Sequence, residues 1–278
     1  MILSDIQVAA SVAEALAALQ RDPETTVYAG GTALFGGQGG RYLKLPERLL
    51  CVYSLSELKA TNLTERYVEL GACLPMSEVL ELGERALSPP FARALSLVGP
   101  SSIRNLATIG GNVCARNRFM GLFATLSALD AIAEFRKAGS SKWINVNWLV
   151  GEDGHPAPRK GELLARIRIP LSNWDEWEVR TLGRRGFPSE DQAGFAFLAR
   201  IDKQAISEAR LCVAGETAFR ARELESTLSG ARLPLTDRDK ERAQTAFEDR
   251  IRGGGLSPGI ESRASIVVRS LLERLSNR

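Results

Sequence analysis

The sequence holds a single histidine, His155, and four cysteines, Cys51, Cys73, Cys114 and Cys212, none of them in a CxxC pair. A zinc site or an iron–sulfur cluster needs several His or Cys ligands at close spacing, so neither is available within this chain. The thiols stand far apart among apolar or small residues, the setting of buried free cysteines. No apolar stretch approaches the roughly 20 residues that span a bilayer. The opening MILSDIQVAA lacks the basic and apolar regions of a secretory signal, so a cytoplasmic location is expected. The 36 basic and 33 acidic side chains leave a formal charge of +3 and form no block, which excludes a nucleic-acid arm or a polybasic membrane anchor.

What is present is a chain of 278 residues, 44% apolar, enough for two or three packed lobes. Ser11 and Glu14 form a capping box, and Val12, Leu16 and Leu19 give the following helix one apolar face. TTVYAGGTALFGG reads as a short strand breaking into glycine, and LLCVY as a second strand, which closes a small α/β lobe near residue 58. A mixed second lobe follows: YVELGAC is strand-like, SEVLELGERAL and FARALSLVG are helical, and SIRNLATIGGNV reads as a strand running into a second double glycine. The segment 122–130 suits a buried helix, and AIAEF and ELLARIRIP read as strands. Beyond a boundary at 170–175, EWEVRTLGRR, AGFAFLARID and ISEARLCVAGE suggest a three-stranded antiparallel meander, followed by helices to the end.

The two glycine pairs carry the functional signal. A diphosphate needs several backbone N–H groups converging on a small volume without Cβ atoms in the way. Ala29-Gly30-Gly31-Thr32 follows a strand, permits a sharp turn and adds a hydroxyl donor. Thr108-Ile109-Gly110-Gly111-Asn112 repeats the recipe, with Asn112 able to donate and accept. A lone Gly-Gly pair is commonly a hairpin or helix cap; two such loops could grip one dinucleotide from both sides. The first loop lacks a GxGxxG fingerprint, which disfavours a nicotinamide-type Rossmann fold. The four tryptophans are expected as core or interface anchors, and Arg184-Arg185 as a solvated strand end.

AGGTAL after the first strand, IRNLATIGGN in the second lobe and LLARIRIP closing it resemble the FAD-binding subunit of the molybdenum hydroxylases, the xanthine dehydrogenase, carbon monoxide dehydrogenase and 4-hydroxybenzoyl-CoA reductase type. The likeness extends in order through VELGACLPMSEVLE, SALDA and RARELESTLSG. It implies an α+β protein: a two-subdomain FAD-binding domain of the vanillyl-alcohol-oxidase (PCMH) type over 1–172, with subdomains 1–58 and 59–172. A smaller domain of the CO dehydrogenase flavoprotein type, with a three-stranded antiparallel sheet and helices, would occupy 173–278. FAD would lie between the subdomains, its pyrophosphate held by Val27, Tyr28, Ala29, Gly30, Gly31, Thr32, Ala33 and Leu34 on one side. Thr108, Ile109, Gly110, Gly111 and Asn112 would hold the other side, with Leu164 and Arg180 toward the flavin end. The implied partners are a molybdopterin-binding large subunit and a [2Fe-2S] small subunit, with NAD or another acceptor exchanging electrons with the flavin. Because the isoalloxazine carries the chemistry, no catalytic acid or base is nominated.

The sequence departs from that family at two places. Ala33 stands where an acid usually follows AGGT, and Asn117-Arg118 and Met120-Gly121 replace the usual Ser-Pro and Gly-Asp after GGN. Loss of a charge-assisted bond costs ~1.5–3 kcal/mol, about one or two factors of ten in affinity. Arg116 and Arg118 could compensate by meeting a phosphate. The alternative reading is a scaffold relative that keeps the fold and partner surface without the flavin.

Overall fold

The computed structural model describes residues 5–36, 38, 43–115, 121–149, 160–183, 192–215 and 217–278. Three sheets organise the chain. The first is parallel, in the order β1-β3-β2, from β1 (Asp5–Val8), β2 (Thr26–Tyr28) and β3 (Arg48–Cys51). The helix α1 (Val12–Arg21) connects β1 to β2 and packs Val12, Ala15 and Leu19 against Leu50 and Val52. Its start is the expected one: Ser11 Oγ accepts from the Glu14 amide at 3.1 Å, while the Glu14 carboxylate reaches back to the Ala10 amide at 2.8 Å.

The second sheet is antiparallel, in the order β4-β5-β8-β6-β7, from β4 (Thr61–Leu63), β5 (Tyr67–Gly71), β6 (Ile132–Lys137), β7 (Ser140–Asn145) and β8 (Leu163–Pro170). Its inner face meets α3 (Met76–Glu81), α4 (Pro89–Leu97), α6 (Ile109–Cys114) and the wholly buried α7 (Leu122–Ala128) in the largest apolar core, while the short α5 (Ser101–Arg104) buries none of its residues. The expected long helix from Ser77 stops at Leu82, where Gly83 takes φ +71.

The third sheet corrects the expected count. The three long strands β9 (Glu176–Gly183), β10 (Gln192–Asp202) and β11 (Ala205–Ala214) are joined by a fourth, β12 (Ala218–Arg220), too short to announce itself as a strand. Behind it, α8 (Arg222–Leu228), α9 (Asp237–Arg252) and α10 (Pro258–Ser276) close a third core. Among the described residues no helix is long and apolar enough to cross a membrane. All four cysteines are free, and burial pushes the Cys73 and Cys114 thiols up to about 12.

On the outer face of the five-stranded sheet, alternate residues form a charge ladder rather than an apolar surface. Glu69 faces Arg168 across β5 and β8 and accepts from its Nε at 2.8 Å, while Arg166 bonds Glu134 at 2.7 Å. The Arg168 guanidinium also lies over the rings of Tyr67 and Trp143. Burial alone would push the Glu69 carboxyl up, but bonds from Arg168 and Asn62 and the charges of Arg168 and Arg166 outweigh it and hold it below the usual carboxylate range. A carboxyl depressed in this way stabilises the fold above its unfolded pKa, and the contribution is lost as pH falls through the folded value. Glu69→Gln is expected to cost about 1 kcal/mol, roughly 3 °C in Tm, at pH 7, with the gap from wild type closing below about pH 4. Melting curves across pH check this; a gap that widens in acid contradicts it.

The tryptophans divide. Trp174 is buried beneath Arg200 and Arg210, and Trp177 packs on the central core, but Trp148 is 79% exposed and belongs to no apolar core among the described residues. His155, Arg116, Arg118, Asn117, Met120, Arg184 and Arg185 lie outside the described residues.

Candidate dinucleotide site at the junction of two glycine loops

The first loop begins where β2 ends. Val52 donates to the Tyr28 carbonyl at 2.9 Å, fixing the strand end, and the chain then turns through Ala29-Gly30-Gly31 into the short helix α2 (Thr32–Phe35). Gly31 adopts φ +71, which L side chains rarely adopt, and the rings of Tyr28 and Phe35 close around it so that a Cβ there would lie 2.7 Å from Tyr28. Gly30 is required for a different reason: a Cβ on it would stand 1.7 Å from the Leu106 carbonyl oxygen. Backbone therefore meets backbone, and the first loop rests directly on the residues that lead into the second.

The two loops do not offer the same thing. From Ala29 to Leu34 the backbone amides find no acceptor among the described residues; the bonds made here close the loop only at Phe35 and Gly36, to the carbonyls of Gly31 and Thr32. A run of open donors around a left-handed glycine is suited to an anion. In the second loop the amides of 109–112 are spent. Ile109 donates to Leu74 at 3.1 Å, Gly110 to Ala72 at 2.9 Å, Gly111 to Thr108 Oγ1 at 3.0 Å, and Asn112 to the Thr108 carbonyl at 3.0 Å.

The second amide nest expected from sequence is thus corrected. These residues form the capped first turn of α6, and Gly110 is small because a Cβ would press on Ala72 at 2.6 Å. What this loop presents instead is side chain. Asn112 is 8% exposed, and its Oδ1 has no partner among the described residues. An unsatisfied buried acceptor is costly to leave unmade, so a donor from a bound molecule is its natural complement.

Leu164 and Arg180 are not part of this junction. The Leu164 side chain is buried in the central core, opposite Phe135, which leaves only its backbone free to face a ligand. Arg180 lies on β9 and gives its Nε to Glu178 at 2.7 Å, and Glu178 also accepts from Arg274 of α10 at 2.9 Å. Sequence reasoning overlooked Leu106 and Ala72, which receive the two glycines. Their signal is faint: Leu106 acts through its main chain and Ala72 through its carbonyl and a single methyl, which no side-chain pattern encodes.

The residues fit an extended dinucleotide in which one loop supplies amides and the other supplies Thr108 and Asn112. The departures from the expected motif also find a physical setting. Ala33 is exposed, and Gly121 sits at φ +91, a conformation that L side chains rarely adopt.

Comparison with known proteins gives the chain a family. Residues 4–172 match the family described as the FAD binding domain in molybdopterin dehydrogenase. The chain is similar to the glyceraldehyde dehydrogenase medium chain of Sulfolobus acidocaldarius, 25% identical over 228 residues covering 81% of this chain and 80% of that one. It is also similar to the putative xanthine dehydrogenase FAD-binding subunit of Escherichia coli, at 26% over 237 residues, 82% and 80% of the two chains. A third relative is the caffeine dehydrogenase subunit beta of a Pseudomonas species, at 28% over 228 residues, 79% and 76%. Among solved structures, reconstituted CO dehydrogenase from Oligotropha carboxidovorans superposes with a TM-score of 0.82 at 22% identity, covering 100% of each chain. Quinoline 2-oxidoreductase from Pseudomonas putida 86 gives 0.81 at 21%, covering 100% and 98%; at such identities the likeness concerns the fold. The matched segment contains both glycine loops and their junction, and the chain belongs to the family of FAD binding domains of molybdopterin dehydrogenases.

Proposed function

We propose that this chain is the FAD-binding electron-transfer subunit of a molybdopterin-dependent hydroxylase or dehydrogenase, passing electrons between the [2Fe-2S] clusters of a partner subunit and an external acceptor. The observation that carries the reading is the run of amides from Ala29 to Leu34 with no acceptor among the described residues, set by Gly30 against the backbone that leads into the second loop. Those amides and the Thr32 hydroxyl would hold the pyrophosphate, and Thr108 and Asn112 would meet the nucleotide from the opposite side. FAD accepts electrons singly or in pairs; the chain's own work is to bind it, orient it and limit its contact with water.

In this reading residues 1–172 form the two-subdomain flavin domain of the PCMH type, divided near residue 58, and 173–278 form the C-terminal domain of the CO dehydrogenase flavoprotein type. The partners are a molybdopterin-binding large subunit and a [2Fe-2S] small subunit, in the cytoplasm, with NAD or another small acceptor completing the path. The names of the relatives support this, since they are a medium chain, an FAD-binding subunit and a beta subunit of dehydrogenases.

Affinity purification of the chain from its native host is the test. The expected result is a complex with two companion chains, one carrying molybdenum, the other iron and sulfide, and a flavin that bleaches when the iron–sulfur centres are reduced without oxygen. A chain recovered alone, or with partners but without flavin, overturns the reading; the second outcome favours the scaffold alternative.

A further inference from the structure

The segment Ile103-Arg104-Asn105-Leu106 leads into the second loop, and one of its side chains turns back toward the fold. Ile103, Asn105 and Leu106 are exposed, whereas Arg104 is half-buried. Its Nη1 donates to the carbonyls of Ser96 at 3.4 Å and Val98 at 3.3 Å, and to that of Gly99. These belong to the C-terminal end of α4, whose last carbonyls lack helical partners and favour a cation. The helix α5 has four residues, too few to hold its place in water, while α4 has nine and a buried face. Arg104 therefore ties a weak turn to a firm element.

The other end of that turn reaches the site. The Ile103 carbonyl accepts from Leu106 at 3.0 Å and from Ala107 at 2.7 Å, so the turn places the Leu106 peptide. The Leu106 carbonyl is the surface on which Gly30 rests. We propose that Arg104 is a positioning residue: by pinning α5 to the end of α4 it fixes the Leu106 carbonyl, and with it the width of the junction at which the Ala29–Leu34 amides take up the dinucleotide. Arg104 acts through Leu106 and not on the ligand. The inference rests on the cofactor reading above, yet its mechanical core, the coupling of Arg104 to Gly30, is measurable without flavin.

The experiment is a double-mutant cycle in the full chain. Without FAD, Gly30→Ala is expected to lower Tm by roughly 5–10 °C, because the new Cβ strikes a carbonyl that cannot recede. In the Arg104→Ala background the same change costs less than half as much, since Leu106 is then free to give way. In FAD titrations of the otherwise wild-type chain, Arg104→Ala weakens binding about tenfold, and Arg104→Lys, which keeps a cation at those carbonyls, weakens it roughly two- to threefold. A structural role unrelated to the junction would leave the melting effects additive, and that result overturns the proposal. So does FAD affinity within a factor of about two of wild type in Arg104→Ala. Should that variant not fold, Arg104→Lys carries both measurements. A wild-type chain that takes up no FAD removes the cofactor reading and the role of Arg104 toward it, while the melting cycle still decides whether Arg104 governs Leu106.

Discussion

Gly30→Ala is expected to weaken FAD binding at least about a hundredfold, ~3 kcal/mol, in a chain that still folds. The added methyl would lie 1.7 Å from the Leu106 carbonyl oxygen, and the obstruction is backbone, not a flexible side chain that could swing aside. The loops must separate, which carries the unspent amides of Ala29 to Leu34 away from Thr108 and Asn112. Gly259→Ala is the control, because a Cβ there meets nothing within 4 Å and the residue lies in α10. Fluorescence titration with FAD, beside the far-ultraviolet spectrum of each variant, gives the comparison. Equal loss in both variants would show that the effect is not local to the junction.

The second large effect concerns stability. Arg220 is 7% exposed at its side chain and bonds Glu225, itself 8% exposed, through Nε at 2.7 Å and Nη2 at 2.7 Å, while its Nη1 reaches Asp130 at 2.8 Å. Arg210 binds the same aspartate at 2.7 Å and the Ala128 carbonyl at 2.9 Å. This network joins the end of α7 in the central core to β11, β12 and α8 of the third. Burial opposes the charge on Arg220, but the bonds it donates to Glu225 and the charges of Glu225 and Asp130 more than offset it and raise its pKa. Arg220→Met strands a buried carboxylate, at a cost of about 3–5 kcal/mol or roughly 10 °C in Tm. Arg220→Met combined with Glu225→Leu should regain only part of that, because it removes the stranded charge but leaves the buried Leu211 amide without its Glu225 acceptor. A single variant that melts within about 2 °C of wild type would show that water reaches the network and screens it.

What the sequence disclosed and what it hid follow from the same physics. The cap at Ser11 and the strands at 67–71, 132–137 and 163–170 were legible because side-chain periodicity and local capping encode them directly. The approach to the second glycine pair was misread as a strand. It is two short helices, α5 and α6, with only an isolated bridge between Pro75 and Thr108. Ile103, Leu106 and Ile109 suggest β structure locally, but the turn is set by main-chain bonds to Pro100 and by Arg104 on α4, neither of which periodicity reports.

The strands β1, β4, β7 and β12 were missed because each is short or polar and sits at a sheet edge, where pairing with one neighbour is enough. The site was half legible. Glycine at 30 and 31 marks a tight turn and a close backbone approach, whereas glycine at 110 and 111 marks close packing and a cap, and the two uses are indistinguishable until the neighbouring backbone is in view.

The central claim is that a single FAD is held where the Ala29–Leu34 amides meet the second loop. Titration of purified, flavin-free full-length chain with FAD, followed by amide hydrogen exchange, tests it most directly. The account predicts uptake of one FAD per chain, with new protection centred on the peptide covering 29–34, because the amides of 109–112 are already bonded within the chain. Absence of uptake, or uptake that leaves the 29–34 amides exchanging as fast as before, would contradict it.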